Sequence, residues 1–257
     1  MDLMLRGKVA MISGGSRGLG YHIARGLVEE GCRVAVSARG EARLEEAVKE
    51  LNALAGGAAV GFCGDIAQKG APEAFLKKSV DAFGGVDILV NNVGGARPGA
   101  LLDLTEEDWR AAFGLNLFHA VALSRLAIPE MKRRGGGAIL NVASIYGRET
   151  GGSMTYNASK AALIAFSKAL AQQVAKDNIR VNSIAPGSIL FPGGGWERRV
   201  KEAPDGLAGF IASDLPLGRF GRPEELAAAA VFMVSPRASL VHGVCWAVDG
   251  SQSRSNI

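Results

Sequence analysis

Tyr156 and Lys160 stand four residues apart in Tyr156-Asn157-Ala158-Ser159-Lys160, within a stretch patterned as a helix, and Ser144 lies a short way upstream. Residues at that spacing share one helical face, so a phenol and an ammonium can act at one point. A free phenol, with a pKa of about 10, exchanges protons poorly near neutrality. A nearby cation favours the phenolate and makes proton transfer to or from a carbonyl or alcohol practicable. Alone the pair is unspecific, because Tyr and Lys fall at this spacing in many helices. It gains meaning from a glycine-rich turn near the N-terminus, which implies a nucleotide for the pair to work beside.

That turn, Ser13-Gly14-Gly15-Ser16-Arg17-Gly18-Leu19-Gly20, separates the apolar run Val9–Ser13 from a helical pattern over Gly18–Glu30. Glycines allow close approach to a pyrophosphate, and a helix N-terminus offers free N–H groups and a positive dipole end. The spacing Gly14-xxx-Gly18-x-Gly20 is neither the common Gly-x-Gly-x-x-Gly fingerprint nor a P-loop. A tight turn without a ligand is the plain alternative, but the glycines fall where an α/β sheet places phosphates. The next strand ends in Ser37-Ala38-Arg39-Gly40, without the carboxylate that would accept from an adenosine ribose and favour NAD. Arg17 and Arg39 suit a 2′-phosphate instead. Each is also an ordinary exposed arginine in type; together with the missing acid they predict NADP(H) as preferred cofactor, with NAD(H) possible.

The elements that must position these residues alternate in type. Strand-like runs at Val9–Ser13, Arg33–Ser37, Ala59–Cys63, Val86–Val90, Ala138–Val142, Ile179–Ile184 and Val244–Val248 are separated by helical patterns over Glu41–Leu54, Ala71–Phe83, a long helix opened by Thr105-Glu106-Glu107-Asp108, and a helix carrying Tyr156 and Lys160 to about Lys176. Such alternation demands a parallel sheet covered by helices on both faces. The prediction is one doubly wound α/β domain over residues 1–257 with a seven-stranded parallel sheet. From Gly187 to Gly221 the periodicity fails. A structureless stretch of this length inside a domain usually serves as a lid or binding loop.

Composition narrows the class. Of 257 residues, 48% are apolar and 21% charged, an ordinary folded balance. The net charge of +4 comes without a dense basic run; Lys132-Arg133-Arg134 ends a helix, where cations suit the dipole, so no nucleic-acid partner is expected. Cys32, Cys63 and Cys245 have no metal or redox spacing and read as buried small hydrophobes. His22, His119 and His242 are scattered and read as structural, so no metal is expected. The sequence shows no signal peptide and no apolar run of about 18 residues or more, predicting a cytoplasmic protein without a membrane partner.

Over essentially the whole chain the sequence resembles the short-chain dehydrogenase/reductase family, in the single-domain branch near the 3-oxoacyl-carrier-protein reductases and glucose dehydrogenase-like members. The matching blocks are Gly14/Gly18/Gly20, Asp65, Asn91-Asn92-Val93-Gly94, Asn116, Ser144, Tyr156/Lys160 and Pro186-Gly187-Ser188. Val93, Ser188 and Ser251 depart from the family's usual alanine, threonine and glycine; Ser188 keeps a hydroxyl, and Val93 is bulkier against the cofactor.

The resemblance implies a Rossmann fold and hydride transfer between nicotinamide and a carbonyl or secondary alcohol. Tyr156 would be the general acid, Lys160 would lower its pKa and bind the nicotinamide ribose, Ser144 would donate to the carbonyl oxygen, and Asn116 would hold a water beside Lys160. Cofactor contacts would come from Gly14, Ser16, Arg17, Gly18, Leu19, Gly20, Arg39, Asp65, Ile66, Asn92, Gly94, Tyr156, Lys160, Pro186, Gly187 and Ile189. A homotetramer is implied. Read from the residues alone, Asp65 is equally a loop-start cap, Asn91-Asn92 a turn and Asn116 a satisfied core amide. Tyr146 borders the substrate or is a packed aromatic, and Trp196 with Arg198 and Arg199 contacts substrate or covers it. The substrate is a small molecule, with a 3-oxoacyl thioester, a sugar, a steroid-like ketone or a small diketone open. A sugar or polyol dehydrogenase and a non-catalytic dinucleotide sensor are the alternatives; an epimerase would need a larger C-terminal domain than the residues after Gly221 provide.

Overall fold

Apolar runs, most of them buried on both faces, pair side by side in the computed structural model, which describes residues 1–202 and 204–256. Ala203, within the segment expected to be irregular, lies outside the described residues, as does Ile257. The strands are β1 (Val9–Ser13), β2 (Arg33–Ala38), β3 (Ala59–Cys63), β4 (Ile88–Asn91), β5 (Gly137–Val142), β6 (Ile179–Pro186) and β7 (Cys245–Val248). They form one seven-stranded sheet in the order β3-β2-β1-β4-β5-β6-β7, with every neighbouring pair parallel. The direction of winding reverses between β1 and β4, so a crevice opens at the C-terminal ends of those two strands.

Helices α1 (Gly18–Glu29), α2 (Glu41–Leu54), α3 (Ala71–Phe83), α4 (Glu106–Phe113), α5 (His119–Arg133), α6 (Met154–Val174), α7 (Gly195–Glu202), α8 (Pro204–Asp214) and α9 (Pro223–Val234) complete the fold. Successive side chains of a strand point to opposite faces. Accordingly Ala10 and Ile12 of β1 join Ile23, Leu27, Leu226 and Ala230 in one core, while Met11 joins Phe75, Leu123, Leu170 and Val181 in the other. Thr105 caps α4 with a reciprocal bond to Asp108, as its sequence predicts.

Four expectations need correction. The fourth strand is bounded at Ile88; Asp87 just before it still pairs through its backbone with Val9 and Ala138, and its side chain accepts from Val9 N at 2.8 Å and takes the Arg134 guanidinium in a two-pronged bond, both at 2.9 Å. Gly187–Gly221 is not structureless, since it holds α7 and α8. Helix α9 was not anticipated; its Leu-Ala-Ala-Ala-Ala-Val-Phe-Met-Val run buries most of its surface and so carries little amphipathic signal. Of the cysteines only Cys32 is buried; Cys63 is exposed and Cys245 half-buried.

The helical run Glu106–Arg133 is long enough to cross a membrane and contains an 18-residue stretch of mean hydropathy 1.4. Here Ala120, Leu123, Ala127 and Met131 of that run are buried. Five residues within it, Gly114–Phe118, form a π-helical turn between α4 and α5.

Candidate active site

The glycine turn is closed by its own geometry and by β4. Gly14 (φ +69°) and Gly18 (φ +57°) are left-handed, a region that L side chains rarely enter. A Cβ on Gly20 would lie 2.3 Å from the Gly14 carbonyl oxygen. The Asn92 amide donates to the carbonyls of Ser13 (3.1 Å) and Gly14 (3.0 Å), and the Ser13 hydroxyl accepts from Asn92 N at 3.0 Å. Asn92 therefore fastens the turn to the end of β4. Ser16 and Leu19 are half-buried beside it.

What the turn presents suits an anion. No side chain caps α1, and its first turn carries no acidic residue, so its N–H groups stay available and the dipole unopposed. Arg17 and Arg39 are exposed, and neither guanidinium has an ion-pair partner among the described residues. At the end of β2, Ser37 is buried and its hydroxyl accepts from Gly14 N at 3.4 Å.

Other expected contacts line the crevice. Asp65 caps its own loop, accepting from Ala67 N at 3.1 Å, and Ile66 is buried in the core beneath. A Cβ on Gly94 would lie 2.9 Å from both Asn116 Oδ1 and Lys160 Nζ, so the chain there approaches the chemical end closely. Pro186 ends β6; Gly187 packs on Asp249 and Gln252. The Ser188 hydroxyl is engaged: Gln252 Nε2 donates to it at 2.9 Å, and Ser188 N donates to Gln252 Oε1 at 2.6 Å. Ile189 is buried and bridges to Gly221.

At the chemical end, β5 and α6 bring Ser144, Tyr156 and Lys160 together. The Ser144 hydroxyl neighbours the Tyr156 phenol; burial raises the phenol pKa and the interaction with Ser144 opposes the rise. The Lys160 ammonium, 98% shielded from solvent by residue exposure of 2%, is lowered to about 7 by burial. It donates to the Val142 carbonyl at 2.7 Å and lies 5.7 Å from the Tyr156 ring centroid. The expectation that Lys160 lowers the phenol pKa is not met in this arrangement, where desolvation of the phenol outweighs everything else acting on it. An ammonium has three donors, and the Val142 bond uses one, leaving two for hydroxyl groups of a ligand.

Asn116 sits in the π-helical turn. Its amide accepts from Gly95 N at 3.1 Å and donates to the carbonyls of Gly95 and Ala112, both at 2.9 Å. It is thus both a satisfied core amide and a neighbour of Lys160 through Gly94. His119, three residues on, is buried with neither ring nitrogen hydrogen-bonded among the described residues; burial, then the Lys160 charge, lower its pKa to about 4.

Two clefts open on the loop that follows Ser144. One of about 530 Å³ is lined by Pro98, Gly99, Thr150–Met154 and Asn157. The other, about 340 Å³, lies between Ile145, Tyr146, Glu149–Gly151, Asp214, Gln252 and Arg254. Gly152 separates the two tyrosines: a Cβ there would be 3.0 Å from the Tyr146 ring and 3.6 Å from that of Tyr156. Tyr146 therefore borders the open space. Trp196 instead stacks on Phe210 with centroids 4.5 Å apart, and Arg199 lies over it at 5.0 Å, so this group joins α7 to α8. Glu149, Gln252 and Arg254 escaped the sequence reading, as only the fold brings the C-terminal segment to the loop after Ser144.

The glycine turn, the uncapped helix and a buried ammonium with spare donors fit a dinucleotide. Comparison with known proteins agrees. The family model described as enoyl-(acyl carrier protein) reductase matches residues 14–251. The 3-oxoacyl-[acyl-carrier-protein] reductase of Chlamydia muridarum is 35% identical over 98% of this chain and 100% of its own. The crystal structure of L-sorbose reductase from Gluconobacter frateurii, complexed with NADPH and L-sorbose, superposes with a TM-score of 0.92 at 38% identity, covering 99% of this chain and 100% of that one. A 7α-hydroxysteroid dehydrogenase complexed with NADH and 7-oxoglycochenodeoxycholic acid reaches a TM-score of 0.90 at 34% identity, covering 99% and 97%. With its seven-stranded Rossmann sheet, this chain belongs to the short-chain dehydrogenase/reductase family of oxidoreductases.

Proposed function

We propose that the protein moves a hydride between a nicotinamide dinucleotide, NADP(H) in preference to NAD(H), and a small-molecule carbonyl or secondary alcohol. The observation that carries this reading is the buried Lys160 ammonium, held on Val142 and 5.7 Å from the ring centroid of Tyr156, with Ser144 beside the phenol. The dinucleotide, when bound, supplies or accepts the hydride. Gly14, Ser16, Gly18, Leu19 and Gly20 hold its pyrophosphate at the start of α1; Asp65 and Ile66 border the adenine; Asn92, Gly94, Pro186, Gly187 and Ile189 line the path toward the nicotinamide. The absent carboxylate at Ala38 and the unpaired Arg17 and Arg39 support the preference for a 2′-phosphate.

The chain's own residues then manage one proton. Ser144 orients the substrate oxygen and donates to it as negative charge grows. Tyr156 gives its proton to that oxygen in reduction and takes it back in oxidation. Lys160 uses its free donors on ribose hydroxyls, and the polar atoms of Asn116 near Gly94 extend the hydrogen-bonded path behind it. A phenol raised by burial remains protonated before the reaction, which suits a proton donor. The neighbours' names support the reaction class, since reductases and a dehydrogenase resemble this chain over nearly its whole length at 34–38% identity. The test is depletion of NADPH over a panel of ketones and aldehydes, with the reverse reaction on alcohols; no cofactor turnover with any member would defeat the reading.

A further inference from the structure

The smaller cleft beside the tyrosines is walled on one side by the loop after Ser144 and on the other by the C-terminal segment. Hydrogen bonds hold that segment in place. Glu149 Oε2 accepts from the backbone N–H groups of Arg254 and Ser255, each at 2.7 Å. Asp249 accepts from Ser251 N at 3.0 Å and Ser253 N at 2.9 Å. Gln252 grips Ser188 through its backbone and its hydroxyl, which ties the wall to the residues just past β6. The wall is therefore joined to the residues expected at the nicotinamide end.

We infer that this site selects a neutral polyhydroxylated ketone, or the matching polyol, over oxo acids, acyl thioesters and steroid ketones; this rests on the oxidoreductase reading above. Charge argues first. Glu149 and Asp214 bring two carboxylates to the cleft against the single guanidinium of Arg254, which has no ion-pair partner among the described residues. A substrate carboxylate or phosphate would add a third negative charge to that small space. Polarity argues next. A steroid or long acyl chain needs a broad apolar wall, and burying polar groups against it costs free energy unless they find partners. Vicinal hydroxyls donate and accept at once, so they can give to Asp214, take from Arg254 and do either with Thr150.

The larger cleft is the more apolar of the two, with Pro98, Gly99 and Met154 in its wall, and its polar groups are confined to Thr150, Ser153 and Asn157. Asn157 spends its N–H donors on the carbonyls of Tyr146 and Glu149, which leaves its Oδ1 as an acceptor. The Ser153 hydroxyl is buried without a hydrogen-bond partner. Unmet polar atoms at the edge of a cleft match a ligand that brings hydroxyls of its own.

The test uses the full chain with NADPH. Initial rates are compared for a ketohexose, an acetoacetyl thioester, a 2-oxo acid and a 3-oxosteroid, and for hexitols with NADP+. The ketohexose is expected to show a kcat/KM about tenfold or more above each of the others. Asp214→Ala and Arg254→Ala should each raise its KM about tenfold or more, the scale of a lost hydrogen bond to a charged group, with most of the change in KM rather than kcat. Best use of the thioester, the oxo acid or the steroid overturns the inference, as do variants with native circular dichroism and an unchanged KM. Should either variant fail to fold, the substrate ranking alone decides. If no carbonyl is reduced, the oxidoreductase reading falls; calorimetric titration of hexitols into the NADP+-loaded protein then judges the cleft, with millimolar binding upholding polyol recognition and no binding overturning it.

Discussion

Lys160 is tied to Val142: its ammonium donates to that carbonyl at 2.7 Å, at the last residue of β5. The bond fixes the tyrosine-bearing helix against the strand that leads into Ser144. A Cβ on Gly147 would strike the Lys160 carbonyl carbon at 2.8 Å, so the loop after Ser144 also packs directly on α6. The three reacting side chains are thus held by one strand end and one helix, and their spacing does not depend on a mobile loop.

Different losses follow from removing each one. Tyr156→Phe keeps the ring and its packing but removes the proton donor, a contribution of roughly two to four orders of magnitude in rate. Lys160→Ala removes a ribose ligand and the tie to Val142, so turnover and NADPH binding should both suffer. Ser144→Ala should slow the reaction with little effect on NADPH affinity. Steady-state rates with fluorescence titration of cofactor check all three. Tyr156→Phe retaining more than about a tenth of the wild-type rate would exceed what a lost general acid permits.

The same lysine sets a pH dependence. Burial lowers Lys160 from 10.5 to about 7, and His119 from 6.5 to about 4. Both folded pKa values lie below the unfolded ones, so the native state binds fewer protons than the unfolded chain across roughly pH 4–6.5 and 7–10.5. Stability therefore rises with pH through these windows and falls as either group is forced to charge. Cys32, raised by burial to about 12, acts in the opposite sense once an unfolded thiol ionises, near its ordinary value of 9.0. Urea denaturation should show a rising midpoint from pH 7 to 8.5, flattened in Lys160→Met. A midpoint that falls over this interval contradicts the buried, partner-poor lysine.

Much of this site was legible in the sequence because local rules agree with the fold. The helices Glu41–Leu54 and Ala71–Phe83 and the strand Ala59–Cys63 carry patterns that their burial later requires, and the glycine turn sits where strand meets helix. What escaped did so for physical reasons. Helix α7 is only eight residues long, with Trp196 and Val200 as its large apolar side chains, too short a run for its stripe to stand out, and α9 is apolar nearly all round and has no stripe. The π-helical turn at Asn116 leaves no local signature. The Glu149 contacts to Arg254 and Ser255 join residues more than 100 positions apart, a relation that spacing in sequence does not encode.

Cofactor preference follows from the end of β2. Ala38→Asp with Arg39→Ala places an acceptor for ribose hydroxyls where a 2′-phosphate would meet like charge. The double variant should shift the kcat/KM ratio toward NADH by an order of magnitude or more, about 1.4 kcal/mol. Wild-type efficiency with NADH equal to or better than with NADPH would sink the preference.

Self-association is expected from two separate exposed surfaces. On α6, Ala161, Ala165 and Ala169 form an exposed row of small residues at one-turn spacing, and Phe118 at the end of the π-helical turn is 56% exposed. Near the edge strand β7, Leu240 is 96% and Trp246 44% exposed. Monomers rarely leave such patches open, and two unlike patches suit the two kinds of dyad in a tetramer. Light scattering should give about four times the 26.7 kDa chain mass; a monomer at micromolar concentration rules the tetramer out.

The segment Gly187–Gly221 is expected to close over bound substrate. It leaves β6 beside Pro186 and returns to the body at the Ile189–Gly221 bridge, so both ends are anchored while the middle is free to shift. Helix α7 has no buried residue among those described, and its chief attachment is the Trp196–Phe210 stack within the segment itself. Yet the segment already touches the phosphate end. The Phe191 ring would lie 2.5 Å from a Cβ on Gly18, and the Arg17 guanidinium 2.8 Å from one on Gly193. An anion drawn to the start of α1 would therefore meet this segment as it binds. Elements with few buried contacts open at low cost and are the ones that ligands order. Hydrogen–deuterium exchange should show slower exchange across residues 190–214 with NADPH, and slower still with substrate added. Protection elsewhere in the site with none in this segment would mean that it does not close.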